Sequence, residues 1–202
     1  METIRSKWNK RYGSVHVPNQ VIDVLEINQH LLPNEGRSLD LACGLGGNAL
    51  RMAELGFESH AWDISDAGIQ KVNEFASERQ LNLFSKQCDI SEQRQQAEML
   101  AIGFDVIIVS RFLLREIMPT IISALRPQGL IFYQTFIEEE PLPVSDAPVA
   151  GPQNNHFRLQ CNELLKLFSG LTIRYYREES TLGKLDKGLR NEALLVGQKK
   201  SE

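Results

Sequence analysis

Apolar positions recur in two rhythms along this chain. From residue 37 onward, short apolar runs alternate with longer stretches whose apolar residues fall three and four positions apart. The runs suit strands buried on both faces, and the spaced stretches suit amphipathic helices. In order, the pattern predicts strand 37–42, helix 48–55, strand 58–63, helix 66–79, strand 83–88, a weaker helix 91–99, strand 104–110, helix 115–125 and strand 129–136. Such alternation implies a parallel sheet covered by helices, the doubly wound α/β class. Phe104-Asp-Val-Ile-Ile-Val-Ser110 is the near-continuous apolar run expected at the centre of that sheet. A helix at 160–168 and strands at 171–178 and 191–198 finish the pattern. With no helix between the last two strands, the sheet is expected to end in an antiparallel hairpin.

Two segments stand outside this rhythm. Residues 1–17 are polar and aromatic, with Trp8-Asn-Lys-Arg-Tyr12 before Gly13, and read as an N-terminal flap. Val21, Ile22, Leu25, Leu31 and Leu32 then make an apolar stripe compatible with a helix, ended by Pro33-Asn-Glu-Gly36. Residues 1–36 are therefore expected to form a flap and helix before a single domain over 37–202. Residues 137–156 carry four of the eight prolines and resist regular assignment. They read as a lid or substrate loop, with a disordered surface excursion as the alternative.

The chemistry gathers at Arg37-Ser-Leu-Asp-Leu-Ala-Cys-Gly-Leu-Gly-Gly-Asn48, where a strand runs into a glycine-rich turn that opens a helix. Gly44 and Gly46 let the backbone turn tightly, and the helix start presents its amides to the turn. Ala42-x-Gly44-x-x-Gly47 also reads as a degenerate dinucleotide fingerprint. An acidic residue at the turn would repel phosphates, however, and Asp40 stands there. Asp63 closes the next apolar run nineteen residues after Gly44, where a ribose partner belongs. Asp89-Ile90 follows the third run. Taken singly, Asp40, Asp63 and Asp89 read equally well as helix caps. Their occurrence at three consecutive strand ends beside a glycine turn points to a nucleotide-type cofactor site.

Asp40 followed by small residues at Ala42, Gly44 and Gly46 resembles motif I of class I S-adenosylmethionine-dependent methyltransferases, which has an acidic residue and three alternating glycines. Ala42 departs from that pattern by one methyl group. The resemblance extends through Asp63-Ile64, Asp89-Ile90, Ser110 and the Leu125-Arg-Pro-Gln-Gly129 turn. It implies a Rossmann-like methyltransferase fold, a mostly parallel seven-stranded sheet in the order 3-2-1-4-5-7-6, and S-adenosyl-L-methionine as cofactor. It also implies cofactor contacts from Asp40, Ala42, Cys43, Gly44 and Gly46, from Asp63 and Ile64 at the ribose, from Asp89 and Ile90 near the adenine, and from Ser110 and Arg111. The opening Trp8-x-x-Arg11-Tyr12 and the motif I sequence look like the tellurite-resistance and thiopurine-type branch. That branch acts on soft nucleophiles such as thiols and chalcogen oxyanions, and its N-terminal aromatic segment folds over the cofactor. On this ground alone Trp8, Arg11 and Tyr12 become candidate cofactor or acceptor contacts, and simple packing of the flap remains the alternative.

Composition narrows the partners. The 202 residues carry a formal net charge of −4 without a lysine or arginine block, so no nucleic-acid face is advertised. Three cysteines, odd in number and without C-x-x-C spacing, suit a reducing cytoplasm. The four histidines lack metal-ligand spacing, so no metal is expected. No apolar run is long enough to span a membrane. The fourth strand ends Ser110-Arg111-Phe112-Leu113 instead of Asn/Asp-Pro-Pro-Tyr/Phe, which argues against amino-group methylation of adenine, cytosine or glutamine. Arg111, His156 and Arg158 are the candidate base or anion-binding groups, each with a structural alternative. The expected activity is methyl transfer to a small-molecule acceptor by a monomer or homodimer. A cofactor-binding regulatory subunit using the acidic run 138–140 is the second reading, and an NAD-dependent oxidoreductase the third.

Overall fold

The computed structural model describes residues 3–138, 151–184 and 186–201. Its strands are β1 Arg37–Leu41, β2 Glu58–Asp63, β3 Leu83–Gln87, β4 Phe104–Ser110, β5 Leu125–Phe136, β6 Thr172–Glu178 and β7 Glu192–Gln198. They form one sheet in the order β3-β2-β1-β4-β5-β7-β6. Strands β1 to β5 pair in parallel, and β7 runs antiparallel to both β5 and β6. The expected sheet order and terminal hairpin are thus both present.

Alternation along the central strands divides the core into two layers. Ile107, Val109, Ile131 and Tyr133 pack on one side with Met99, Ile121, Leu164 and Phe168. Val106, Ile108, Phe132, Leu194 and Val196 pack on the other with Val24, Leu25, Met52 and Phe57. The helices that supply these partners are α1 Ile4–Gly13, α2 Asp23–Ile27, α3 Gly47–Glu54, α4 Asp66–Glu78, α5 Gln93–Ile102, α6 Met118–Ala124 and α7 Glu163–Leu167. Among the described residues, no helix is long and apolar enough to cross a membrane.

Several boundaries differ from the sequence reading for local reasons. The flap contains a regular helix, α1, capped by the Thr3 hydroxyl, which accepts from Ser6 N at 3.1 Å. None of its residues is fully buried, so it carries no apolar periodicity. The stripe at 21–32 breaks into α2 and a 3-10 turn at Gln29–Leu31. Asn28 sits at the break, its amide donating back to Val24 O at 3.0 Å. Helix α5 continues to Ile102, where Gly103 turns the chain out at φ +63°. The expected helix 115–125 is a 3-10 turn, Arg115–Ile117, followed by α6 with Pro119 in its first turn. Strand β5 begins at Leu125, which already pairs with Phe104. Helix α7 covers only Glu163–Leu167 of the expected 160–168. The acidic run and lid expected within 137–156 lie largely outside the described residues. Of that segment, Asn155–Phe157 forms a 3-10 turn.

Candidate cofactor and acceptor site

Strands β1 and β4 are neighbours, and the connections leave their C-terminal ends toward opposite sides of the sheet, the switch point where doubly wound sheets place their ligand crevice. The turn after β1 fills the floor of that crevice. Ala42, Gly44 and Gly46 all hold left-handed backbone, at φ +57°, +57° and +74°. Ala42 therefore occupies a conformation suited to glycine. A side chain on Gly44 would lie 2.9 Å from both the Tyr12 hydroxyl and the Asn19 amide nitrogen. On Gly47 it would lie 2.0 Å from the Asn19 carbonyl, and on Gly68 2.8 Å from the Gly44 carbonyl. The sequence reading weighed Gly47 only as part of a dinucleotide pattern. Here it is the point where residues 18–20 cross the turn.

Three acidic residues line the strand ends, each differently engaged. Asp63 is buried and accepts from Gly44 N and Ser65 N, both at 2.8 Å. Burial raises its pKa, and the backbone hydrogen bonds oppose that rise. Each of its oxygens keeps a second lone pair for another donor. Asp40, also buried, accepts from Asn48 Nδ2 at 3.3 Å and Ala49 N at 3.1 Å, and so ties β1 to the start of α3. Burial pushes its pKa up to about 7. Asp89 accepts from Ser91 N at 2.9 Å and Ser91 Oγ at 2.6 Å through Oδ1 alone. Ile64 gives its carbonyl to Gln87 Nε2 at 3.1 Å, and Ile90 is buried in the core layer that holds Met99. Burial and the nearby carboxylates hold the Cys43 thiol protonated, which removes it as a nucleophile.

Helix α1 lies against α4 as a strap over this turn. Arg5 grips Asp66, while Asn9 donates to Asp66 at 3.1 Å and accepts from Ser65 Oγ at 2.7 Å. Trp8 stacks on Tyr12 with centroids 5.4 Å apart, and the Arg11 guanidinium sits 5.1 Å from the Trp8 ring centre. Of these three candidates only Tyr12 reaches the turn. Burial first, and the Asp63 charge next, raise its pKa, so its hydroxyl remains a donor. Among the described residues that hydroxyl makes no hydrogen bond.

The acceptor candidates lie at the far side of the crevice, past Ser110. Arg111 takes φ +52°, donates its backbone N–H to Gln134 O at 2.7 Å and its Nε to Glu192 Oε1 at 2.6 Å. Its guanidinium carbon is 5.9 Å from the Phe136 ring centre. Arg158 is buried and donates to Pro152 O, Ile137 O and Asn191 Oδ1 at 2.8, 2.9 and 3.0 Å. It clamps the end of the proline-rich loop against β5. His156 has an exposed ring, and its carbonyl accepts from Arg115 Nη1 at 2.6 Å. Arg115 also forks onto Glu163 at 2.6 and 2.9 Å and reaches Arg158 O at 2.8 Å. Sequence reasoning overlooked Asn19, Arg115, Gln134 and Glu192. For the last two the signal was a polar residue inside an otherwise apolar strand, which must find a partner when buried.

The turn fits a sulfonium nucleoside better than a dinucleotide. Among the described residues, no lysine or arginine hydrogen-bonds to the turn, and the Asp63 carboxylate accepts from its Gly44 N–H. Its left-handed residues leave bare backbone under the Tyr12 ring.

Comparison with known proteins agrees with this geometry. Residues 4–193 match the sequence model of the family described as "Tellurite resistance protein TehB". The chain is 26% identical over 183 residues to the "Probable S-adenosyl-L-methionine-dependent methyltransferase TehB" of Haemophilus influenzae, spanning 89% of this chain and 59% of that protein. It therefore spans less than two thirds of the curated relative. The crystal structure of TehB from Haemophilus influenzae superposes with TM-score 0.66 at 21% identity, over 97% of this chain and 67% of that one. A TehB-like S-adenosylmethionine-dependent methyltransferase from Corynebacterium glutamicum gives TM-score 0.58 at 17% identity, over 90% of each chain. With a glycine turn and three acidic strand ends on this sheet order, and a family match running from the strap helix into β7, the chain belongs to the family described as "Tellurite resistance protein TehB".

Proposed function

We propose that this chain moves the methyl group of S-adenosylmethionine to a small-molecule acceptor, a thiol or a chalcogen oxyanion. The observation that carries the reading is the buried Asp63 carboxylate beside the bare backbone of Gly44, with the Tyr12 hydroxyl, unpartnered among the described residues, above it. When bound, the cofactor supplies an electrophilic methyl group on a sulfonium sulfur.

In this reading Asp63 takes the ribose hydroxyls on its remaining lone pairs, and Asp89 offers its unpaired oxygen near the adenine. The turn residues Ala42, Cys43, Gly44 and Gly46 carry the backbone contacts, and Asp40 holds the start of α3 in line. Ile64, Ile90 and Ser110 flank the crevice. Tyr12 donates to the cofactor's anionic end and, with Asn19, keeps water out. Trp8 and Arg11 act by bracing Tyr12. Arg111 receives the acceptor at the end of β4. A thiolate or oxyanion already carries its reactive lone pair, so positioning and dehydration supply most of the rate and a strong base is unnecessary. Arg158 and His156 shape the loop that borders the acceptor.

Release of S-adenosylhomocysteine with tellurite, selenite and dithiothreitol as separate acceptors tests this reading. Turnover with at least one, lowered tenfold or more in Arg111→Met, is the expected result. Cofactor binding without turnover on any of them, followed by turnover or altered activity of a protein partner, favours the regulatory-subunit reading instead.

A further inference from the structure

Gln134 and Glu192 are buried, at 1% and 8% exposure, on a face of β5 and β7 that is otherwise apolar. Polar groups in such a place are costly unless paired, and this pair is fully paired. Gln134 Oε1 accepts from Val24 N at 2.9 Å, and its Nε2 donates to Asp23 Oδ2 at 2.9 Å and to Glu192 Oε2 at 2.6 Å. The other Glu192 oxygen holds Arg111 Nε at 2.6 Å. The chain of contacts thus runs from the start of α2 to Arg111. Arg111 is the exposed end, its side chain 55% accessible against 10% for Glu192. Among the described residues, its Nη1 and Nη2 make no hydrogen bond.

We infer that Glu192 is a positioning residue of the acceptor site. It fixes the Arg111 fork through Nε and leaves both terminal nitrogens to take an anionic acceptor end on. The inference rests on the reading of Arg111 as the acceptor's partner. Three further observations favour it. Arg111 stands in left-handed backbone, a strained place for a non-glycine residue that persists only where its surroundings hold it. The guanidinium lies over Phe136, a second restraint on its plane. Asp23 and Glu192 also outnumber the single arginine, so the network offers no surplus positive charge to attract anions at large. What it offers is a fixed fork.

Charge and position make opposite forecasts, which gives the test its force. Neutralising Glu192 by Glu192→Gln would tighten binding of an anion if charge alone mattered. It also sets one amide donor against either Arg111 Nε or Gln134 Nε2, so the fork loses its hold. The experiment measures KM and kcat for selenite with the full chain, beside calorimetric binding of S-adenosylhomocysteine. Glu192→Gln is expected to raise the selenite KM about tenfold, with homocysteine-nucleoside affinity within twofold of the parent. Arg111→Lys keeps the charge but not the fork, and is expected to raise KM equally. It sits at the exposed end of the network, so it remains informative if Glu192→Gln does not fold. The double variant is expected to be no worse than either single one. An unchanged or lowered KM in either variant, multiplicative effects, or a parent protein that methylates thiols but no anion overturns the inference. Failure to bind S-adenosylhomocysteine would instead bring down the proposed function itself.

Discussion

Arg5 holds Asp66 with two parallel hydrogen bonds, Nε to Oδ2 at 2.7 Å and Nη2 to Oδ1 at 2.5 Å, and so fastens the first helix to the start of α4. Two donors on one carboxylate fix orientation as well as distance, and they keep the Asp66 pKa down at about 2. With Asn9 on Ser65 and Asp66, this clasp sets Tyr12 over the glycine turn. Only Trp8, Asn9 and Tyr12 of the helix are even partly buried, so the clasp carries much of its docking.

Arg5→Ala should therefore release the strap. Amide hydrogen exchange over residues 4–13 is expected to quicken severalfold, and β4 and β5 to keep their protection. Because the pair is exposed, added salt should quicken exchange in the parent toward the variant's rate. Unchanged protection in the variant would show that the clasp does not hold the helix.

Ala42 sits at φ +57° in the motif position where the family pattern has glycine. An L side chain in left-handed backbone costs about 1–2 kcal/mol, part of which glycine returns through its looser unfolded chain. Ala42→Gly is expected to raise stability by up to about 1 kcal/mol, read as a later urea midpoint with an unchanged slope. An earlier midpoint would mean that the Ala42 methyl group makes a packing contribution larger than its strain.

Asp40 gives stability a pH dependence. Its pKa is about 7 in the folded chain against 3.8 for an ordinary aspartate, so between those values the folded state holds a proton that the unfolded state has lost. Its contribution is whole below pH 4, falls as pH rises toward 7, and is level above. The slope approaches about 1.4 kcal/mol per pH unit within that window. Asp40→Asn should lose stability less steeply from pH 4.5 to 7.5 than the parent, measured from urea midpoints. Parallel profiles would contradict a neutralised Asp40.

Arg115 gathers Glu163 and the carbonyls of His156 and Arg158 under one guanidinium. Arg115→Met leaves a part-buried carboxylate without its partner and should cost about 2 kcal/mol. Proteolytic nicking between residues 151 and 160 is expected to quicken before any change in the rest of the chain. Equal cleavage rates would show that the loop end is held from elsewhere.

The sheet order was legible because strand and helix periodicities differ and because no helix separates the last two strands. Asp40, Asp63 and the glycines were legible because each ends a run of apolar residues. The engagement of each acidic group was not. Asp40 is spent on the start of α3, while Asp63 joins the glycine turn to the start of α4 through Gly44 N and Ser65 N, and both are aspartates after apolar strands. Helix α1 escaped notice because it is held by polar contacts and a single tyrosine, so its sequence lacks an apolar stripe. Arg158 looked like a candidate for chemistry until the fold showed it turned inward onto backbone carbonyls. The Arg111–Glu192 contact joins residues 81 positions apart, and no local pattern encodes a partner at that range.

The most direct measurement is calorimetric titration of the parent and of Asp63→Asn with S-adenosylhomocysteine and, in parallel, NADH. The parent is expected to bind S-adenosylhomocysteine with micromolar affinity and NADH not at all, and Asp63→Asn to lose at least a hundredfold. Binding of NADH alone, or S-adenosylhomocysteine affinity indifferent to Asp63, would contradict a cofactor site built on the turn between β1 and α3.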